Sequence, residues 1–474
     1  MPSTANVRDY GARGAAVKRG RVRLTTDGYR DYRYQRGIEF DVYGAQGDAL
    51  DSPGIQQAID AVAQAGGGTV YVPPGAYLIA PIRLRDNVRL HLEAGAVLYG
   101  TTDLEHYRDP AAPAADTLAE RRAAPTDGDS VFRRLISAVD AVNVSLTGAG
   151  EINAQSPAFF VPHLNADLKT PLRRPREMLL FRNCRNLALR DVTIRNSVNW
   201  TLHLLECDGV LVDGVKMHHF DGPNADGIDV SACSNVTISN CRLWVTDDAI
   251  CLKNLAPEVT MRNIAVTNCV IRTLCNAVKI GTETVGDVEN VVVGNLVVHS
   301  PEGDVRAPPC GVHLSSMDGG HIRRILIHDL VLERCQCPVF LCQGKRTKLQ
   351  AAVREPRAGS IADVTVANVT AEGAARPCFV NGLAESPIRN VLIRDLAFTS
   401  PRMPAGPVAS RDLPEDPEAY PHDHRFGPLP AYLLYCRHAE HVRVRNASVW
   451  PRPTLQREPV VFADCRNCSA TTDL

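Results

Sequence analysis

NADGIDVSACSNVTISNCRLWVTDDAICLK, residues 224–253, carries one period of a repeat with acids at both ends. Its middle, NVTISNCRL from Asn235, is one copy of a nine-residue phrase, roughly N-V-x-I-x-N/D-x-x-I. The same phrase reads NLALRDVTI from Asn186, GVLVDGVKM from Gly209, NIAVTNCVI from Asn263 and NVVVGNLVV from Asn290. It continues as RILIHDLVL from Arg324, DVTVANVTA from Asp363, NVLIRDLAF from Asn390 and HVRVRNASV from His441, with looser copies from Asn87 and Asn143. From 186 to 290 the spacings are 23, 26, 28 and 27 residues; later ones of 34, 39 and 51 mark inserted loops. A fixed period of this size is the signature of a stacked architecture. Alternating Val, Ile and Leu turns one face of each short strand inward, while Asn, Asp and Gly supply sharp corners. No room is left between strands for regular helices. The expected fold is all-β, a single right-handed parallel β-helix.

Laid over each other, the two ends of the opening stretch place Asp226 on Asp248, Ile228 on Ile250 and Val230 on Leu252, an offset of 22 residues. One period per coil puts these acids on adjacent rungs, about 4.8 Å apart. Asp247 stands beside them, offset by one residue. Carboxylates so close repel, and at least one holds its proton more tightly than a free carboxyl. An acid next to a base is what cleavage of a glycosidic bond requires.

Composition narrows the setting. The chain has 474 residues, long enough for two or three domains, but the uninterrupted repeat argues for one elongated domain. A net charge of −1 gives no footprint for nucleic acid or an anionic membrane. No apolar run approaches the roughly 20 residues of a membrane span. The N-terminus is basic but lacks a hydrophobic secretion core, so a cytoplasmic location is expected. Fifteen cysteines, an odd number, cannot all pair internally. Cys184, Cys207 and Cys233 each precede a repeat phrase and Cys241 and Cys269 share another position, so they are expected to stack as buried free thiols. The pair in CRNC (465–468) has metal-like spacing without a second pair and is taken as structural.

Residues 40–100, beginning FDVYGAQGDALDSPGIQQAIDAVAQAGGG, resemble the entry of glycoside hydrolase family 28, the polygalacturonases and their pectin-degrading relatives. NADGID (224–229) is similar to that family's NTDGID, and TDDAICLK (246–253) to its GDDCIAIK. The likeness runs from about residue 38 to 400 and implies a pectin-lyase-like solenoid. In it DSPGIQQAIDAVAQAGG becomes a capping helix, with Asp51 or Ser52 near its N-cap, shielding the apolar end of the first coil. Residues 1–37 then form an N-terminal extension to a catalytic domain of 38–474, although VRDYGARG (7–14) echoes FDVYGAQGD (40–48). The resemblance also implies roles: Asp247 as general acid, with Asp226 and Asp248 positioning and deprotonating the attacking water.

Two family motifs are missing. Where the family has Gly-His-Gly this chain reads CNAVKIGTE (275–283), with Asn276 for the histidine. Where it has Arg-Ile-Lys, which holds a galacturonate carboxylate, this chain reads GVHLSS, with His313 for Arg and Ser315 for Lys. Aligning Ile228, Ile250, Val278 and Val312 puts Asp229, Cys251, Lys279 and His313 in one column, which makes Lys279 the candidate to replace the lost positive charge. With Lys279, His313 and Asn276, the candidate substrate-binding set takes in Lys253 at the end of the acids' strand, His203 beside Trp200 one coil earlier, and His219 on the approach; Glu283 either lines the cleft or pairs with Lys253. A lone His or Lys is more often a packed or solvated residue, and only a shared face recommends these. No cofactor is called for, and no EF-hand-like series suggests a metal.

The expected function is an inverting glycoside hydrolase acting on pectin-derived or other acidic oligosaccharides. Inserts at 101–129 and around 153–178 would wall off one end of a cleft and favour exo action. Its partner is then the oligosaccharide; no feature selects an oligomeric state. Two other classes stand beside this one: a β-helix lyase or epimerase with Lys279 as base, and a non-catalytic carbohydrate-binding solenoid. A lyase makes an unsaturated, ultraviolet-absorbing product. The solenoid is disfavoured by retention of all three acids.

Overall fold

The computed structural model describes residues 4–23, 39–45, 47–109, 133–159, 174–175, 177–219, 224–299, 310–350, 355–403, 408, 413–451 and 457–472. Most of residues 101–129 and 153–178, the expected cleft walls, lie outside these. The fold is a right-handed parallel β-helix, its strands pairing in parallel with those one period away.

Every repeat phrase opens on a residue in the left-handed region: Asn87, Asn143, Asn186, Gly209, Asn235, Asn263, Asn290, Arg324, Asp363, Asn390 and His441 all have φ between 54° and 69°. The sixth residue repeats the conformation through most of the series, as at Asp191, Asn240, Asn268, Asn295 and Asp395. Asn and Asp tolerate this backbone better than other side chains, which is why the phrase is written N…N/D. Stacking converts the corners into ladders. The Asn143 amide donates to Asn87 Oδ1 at 2.7 Å and Asn186 to Asn143 at 2.7 Å; Asn263 donates to Asn235 at 2.9 Å and Asn290 to Asn263 at 3.1 Å. Between the corners, the second and fourth residues point inward and are buried: Leu187 and Leu189, Val236 and Ile238, Ile264 and Val266.

Two compact units are described in turn. The first comprises Met1–Asp229, Trp244–Thr246 and Gly303–Val305. In it Gly68–Val72, Val88–Leu92, Val142–Thr147, Arg185–Arg190 and Asp208–Asp213 pair successively. The helix α1, Ser52–Gln64, buries Ile55, Ala58, Ile59 and Val62. It is tied to the first coil by Gln56, whose amide exchanges bonds of 2.8 and 3.0 Å with the Arg83 backbone. Asp51 occupies the N-cap but makes no side-chain cap bond. Its carboxylate instead accepts from the backbone N–H of Arg13 at 2.6 Å and Leu78 at 3.2 Å, stapling the N-terminal segment to the coil. That segment is part of the fold: Thr4–Asn6 pairs with Thr69–Tyr71, and Lys18–Arg23 forms an antiparallel ribbon with Glu39–Tyr43. The boundary at 37/38 is therefore crossed by strand pairing, and VRDYGARG (7–14) leads from the first strand into it.

The second unit comprises Val230–Leu243, Asp247–Glu302 and Arg306–Leu474. Its site-bearing strands are Ile250–Asn254, Val278–Thr284, Cys310–Ser316 and Cys337–Gln343. Their register aligns Ile250, Val278, Val312 and Val339, and one residue on, Cys251, Lys279, His313 and Phe340. The three residues of the expected column that fall in this unit thus stack as read. All fifteen cysteines are free. The Cys184 and Cys207 thiols interact, as do those of Cys241 and Cys269, in keeping with stacked ladders.

Candidate active site

In the second unit, paired acids open the strand Ile250–Asn254. Asp247 is half-buried and Asp248 is 3% exposed. The Asp247 carboxylate accepts the Asp248 backbone N–H at 2.9 Å. Asp248 is held on every side. Its Oδ1 accepts the Asn276 backbone N–H at 3.0 Å and the Asn276 amide at 2.6 Å. Its Oδ2 accepts the Lys279 ammonium at 2.8 Å. Asn276, standing where the resemblance expects histidine, thus serves as a double donor to a carboxylate.

These surroundings drive the two acids apart. Burial pushes the Asp247 carboxyl up, and the charge on Asp248 pushes it further. Burial works against ionisation of Asp248 too, but Lys279's charge and hydrogen bonds outweigh it and hold Asp248 well below the usual carboxylate range. Lys279 is 4% exposed; burial disfavours its charge, yet Asp248 keeps it protonated well past its ordinary value. A proton donor beside a fixed base is the division of labour that acid–base cleavage needs.

Tyr420 completes the cluster, and no repeat spacing points to it. Its hydroxyl accepts a second bond from Lys279 at 2.7 Å. It arrives on the segment 413–430, which is anchored by Phe426 in a core cluster with Phe340, Phe379 and Tyr435. Arg376 donates to the carbonyls of Asp423 and Gly427 and pairs with the Asp423 carboxylate at 3.1 Å, pinning the same segment. The only hint in the sequence is an aromatic, His-rich run, AYPHDHRFG (419–427), in an otherwise polar insertion.

Other candidates are placed as follows. His313 is 2% exposed with its ring edge-on to Phe340 at 4.8 Å. Burial and then Lys279's charge hold its imidazole neutral, well below the ordinary value. Lys253 is buried. Glu283 is lowered despite burial, by Lys253 first and then Lys279, so these residues share an ionic network. Arg346 and Asp318 form a second buried pair at 2.5 Å, with Arg346 also donating to Thr282 O.

Asp226, His203 and His219 belong to the first unit. Asp226 is 3% exposed, and its backbone carbonyl accepts Thr201 N–H at 3.0 Å. His203 is buried 3.7 Å from Glu177, with Trp200 edge-on at 5.1 Å. His219 Nδ1 accepts Ser197 N–H at 3.3 Å, so its Nε2 proton goes to Thr201 Oγ1 at 2.7 Å. Burial pushes this imidazole down to about 3. His219 is thus a neutral structural link between turns, a role its position in the sequence did not distinguish from substrate binding.

Asp247, Asp248 and the Cys275 thiol lie within 4.8 Å of one another, a spacing compatible with a cation. The donors do not fit one. The Lys279 ammonium already occupies Asp248 Oδ2, and burial with two neighbouring acids pushes the Cys275 thiol far up, keeping it protonated.

A model of the family described as glycosyl hydrolases family 28 matches residues 93–405. A probable polygalacturonase of Vitis vinifera is 21% identical over 374 residues, covering 76% of this chain and 73% of that protein. The exo-poly-alpha-D-galacturonosidase of Dickeya chrysanthemi is 25% identical over 312 residues, 57% of this chain and 51% of its own length. Among solved structures, the family 28 exopolygalacturonase of Yersinia enterocolitica superposes with a TM-score of 0.71 at 18% identity, covering 99% of this chain and 78% of that one. The exopolygalacturonase of Thermotoga maritima gives 0.63 at 21% identity, covering 84% and 87%. At such identities the superpositions speak to the fold.

Proposed function

Because this chain belongs to glycosyl hydrolases family 28, and is on that ground a glycoside hydrolase, we propose that it cleaves pectin-derived, acidic oligosaccharides by inverting hydrolysis from chain ends. The observation that carries the mechanism is the split between the paired acids. Asp247, half-buried and raised, protonates the leaving glycosidic oxygen. Asp248, kept ionised by Lys279 and Asn276, takes a proton from the attacking water, with Asp226, one period earlier in sequence, as its companion. Attack opposite the leaving group inverts the anomeric centre; the Asp247 and Asp248 oxygens, within 4.8 Å of each other, stand nearer than the roughly 6.5–9.5 Å usual for an inverting pair, so inversion is carried here by the family likeness and not by that spacing. End-on action is supported by the names of the relatives, several of which are exo-acting.

Lys279 has a different first task from the one its place in the column suggests. Held between Asp248 and Tyr420, it maintains the base, and any contact with a substrate carboxylate is additional. The same geometry weighs against a lyase or epimerase. A lysine held protonated by Asp248 cannot take up a proton from the carbon next to a uronate carboxyl. Fifteen free thiols favour action in a reducing compartment, on short chains already imported. Incubation with a panel of pectic oligosaccharides tests the reading. Saturated products shortened by one terminal unit are expected; unsaturated products absorbing in the ultraviolet would overturn it. Cell fractionation tests the compartment, with recovery outside the cell as the contrary result.

A further inference from the structure

The phrase from His441, HVRVRNASV, breaks the repeat's habit on its outward face. In the regular copies from Asn186 to Asn390 the third residue is always uncharged, as in Ala188, Thr237, Val292 and Leu392; here it is Arg443. Arg445 follows two residues on, and both are exposed. With His441, Asn390, Val391 and Leu392 they line an open groove of about 430 Å³ where Ile388–Thr399 pairs with Ala431–Trp450. Other arginines of these coils are neutralised: Arg389 and Arg466 share Glu440, and Arg394 holds Asp395 at 2.5 Å. Among the described residues, Arg443 and Arg445 have no hydrogen-bond or ion-pair partner, and no carboxylate lines the groove. Arg445 also stands directly across from Arg394 in the parallel register. Like charges placed opposite each other destabilise a strand pair, and a bound anion relieves that contact.

We infer that this groove is a second carbohydrate site, which takes a carboxylated sugar chain through Arg443 and Arg445. It rests on the hydrolase reading above for the chemistry of the chain. Two steps along an extended strand set the arginines about 6.6 Å apart, so each can meet its own carboxylate on one oligouronate. A guanidinium grips a carboxylate through two parallel N–H···O bonds. Leu392, half-buried and opposite Arg443 in the register, adds apolar surface for the C–H face of a sugar, which a bare inorganic anion would not use. The site is separate from the acids. Five successive strand pairings lead from Met261–Thr267, on the acids' coil, to the strand that bears Arg443. At about 4.8 Å each, they place the groove roughly 24 Å along the stack, where it holds a chain without touching the bond to be cut.

The test compares the parent with Arg443→Gln/Arg445→Gln by affinity electrophoresis in gels carrying polygalacturonate, both in an Asp247→Asn background to suppress turnover. Exposed ion pairs are weak one by one, so the double variant is expected to bind the polymer about fivefold or more weakly. Gels of fully methyl-esterified pectin, which lacks the carboxylates, should not distinguish the two proteins. With Asp247 intact, both should cleave the shortest galacturonate substrate with the same kcat/KM and melt at the same temperature. Equal retardation by polygalacturonate would overturn the site, as would a lowered melting temperature, which would make the arginines structural, or a lowered kcat/KM on the short substrate. Polyphosphate gels that separate the two proteins as strongly would reduce the groove to a general anion site and overturn the sugar assignment. If the arginines retain polygalacturonate but the wild type does not cleave it, the hydrolase reading fails and the groove stands. If the wild type cleaves it and the double variant binds undiminished, the groove fails and the hydrolase reading stands.

Discussion

Replacing Lys279 with Met should expose what keeps Asp248 ionised. The side chains are similar in volume, so the change mainly deletes a charge. At 2.8 Å, with an effective dielectric constant of about 20, the Lys279–Asp248 attraction is on the order of 6 kcal/mol. Desolvation of both groups offsets part of it, and breaking a buried pair from one side typically costs about 3–5 kcal/mol. The sign follows from the shifts. In the wild type Asp248 lies below its unfolded value, so its contribution to stability is present above the usual carboxylate range and is lost as pH falls through the depressed value. Without Lys279, burial dominates, the native state prefers the protonated acid, and the variant loses stability as pH rises. Urea unfolding from pH 3 to 8 should therefore show a deficit of about 3–5 kcal/mol near neutrality that shrinks toward acid. Over the same range the acid limb of kcat should move up by about one pH unit or more, since an ion pair in contact shifts a carboxyl by at least that much. An unchanged acid limb with unchanged stability would refute the account of Lys279.

Asp247→Asn should slow substrates with poor leaving groups by about a hundredfold or more, and activated aryl-glycosides far less, as steady-state kinetics on matched pairs would show. In the wild type the alkaline limb of kcat should lie above the ordinary carboxylate range, because Asp247 is raised and must be protonated to act; a limb at the ordinary value contradicts this. Asp51→Ala strips acceptors from the Arg13 and Leu78 N–H groups and should cost about 2 kcal/mol or more in chemical denaturation, with faster proteolysis of the N-terminal segment.

The coil and its register were legible because the inward positions and the left-handed corners both leave residue-type signatures at a fixed period. Asn at most of the corners and Val, Ile or Leu two steps apart were enough to align Ile250, Val278 and Val312 correctly. Neighbours within two coils were legible for the same reason, which is how Lys279 came to be set beside the acids. What each neighbour does was not legible. Lys279 was read as a substrate contact from its column, but direction and partner depend on side-chain rotamers that period cannot encode. Tyr420 was invisible for a different reason: it reaches Lys279 across 141 residues through an insertion that obeys no repeat. The resemblance puts Asp51 or Ser52 near the N-cap, and Asp51 does occupy it, but its acceptor capacity goes to the backbone N–H groups of Arg13 and Leu78 beside the helix, which no cap signature encodes.

The most direct test of the central claim is proton NMR of the first-formed product, recorded before mutarotation. If Asp247 donates to the leaving oxygen while Asp248 activates the attacking water, the new reducing end must carry the configuration opposite to the bond that was cleaved. A product released with retained configuration would mean that one of these carboxylates had attacked the sugar itself, and would contradict the account.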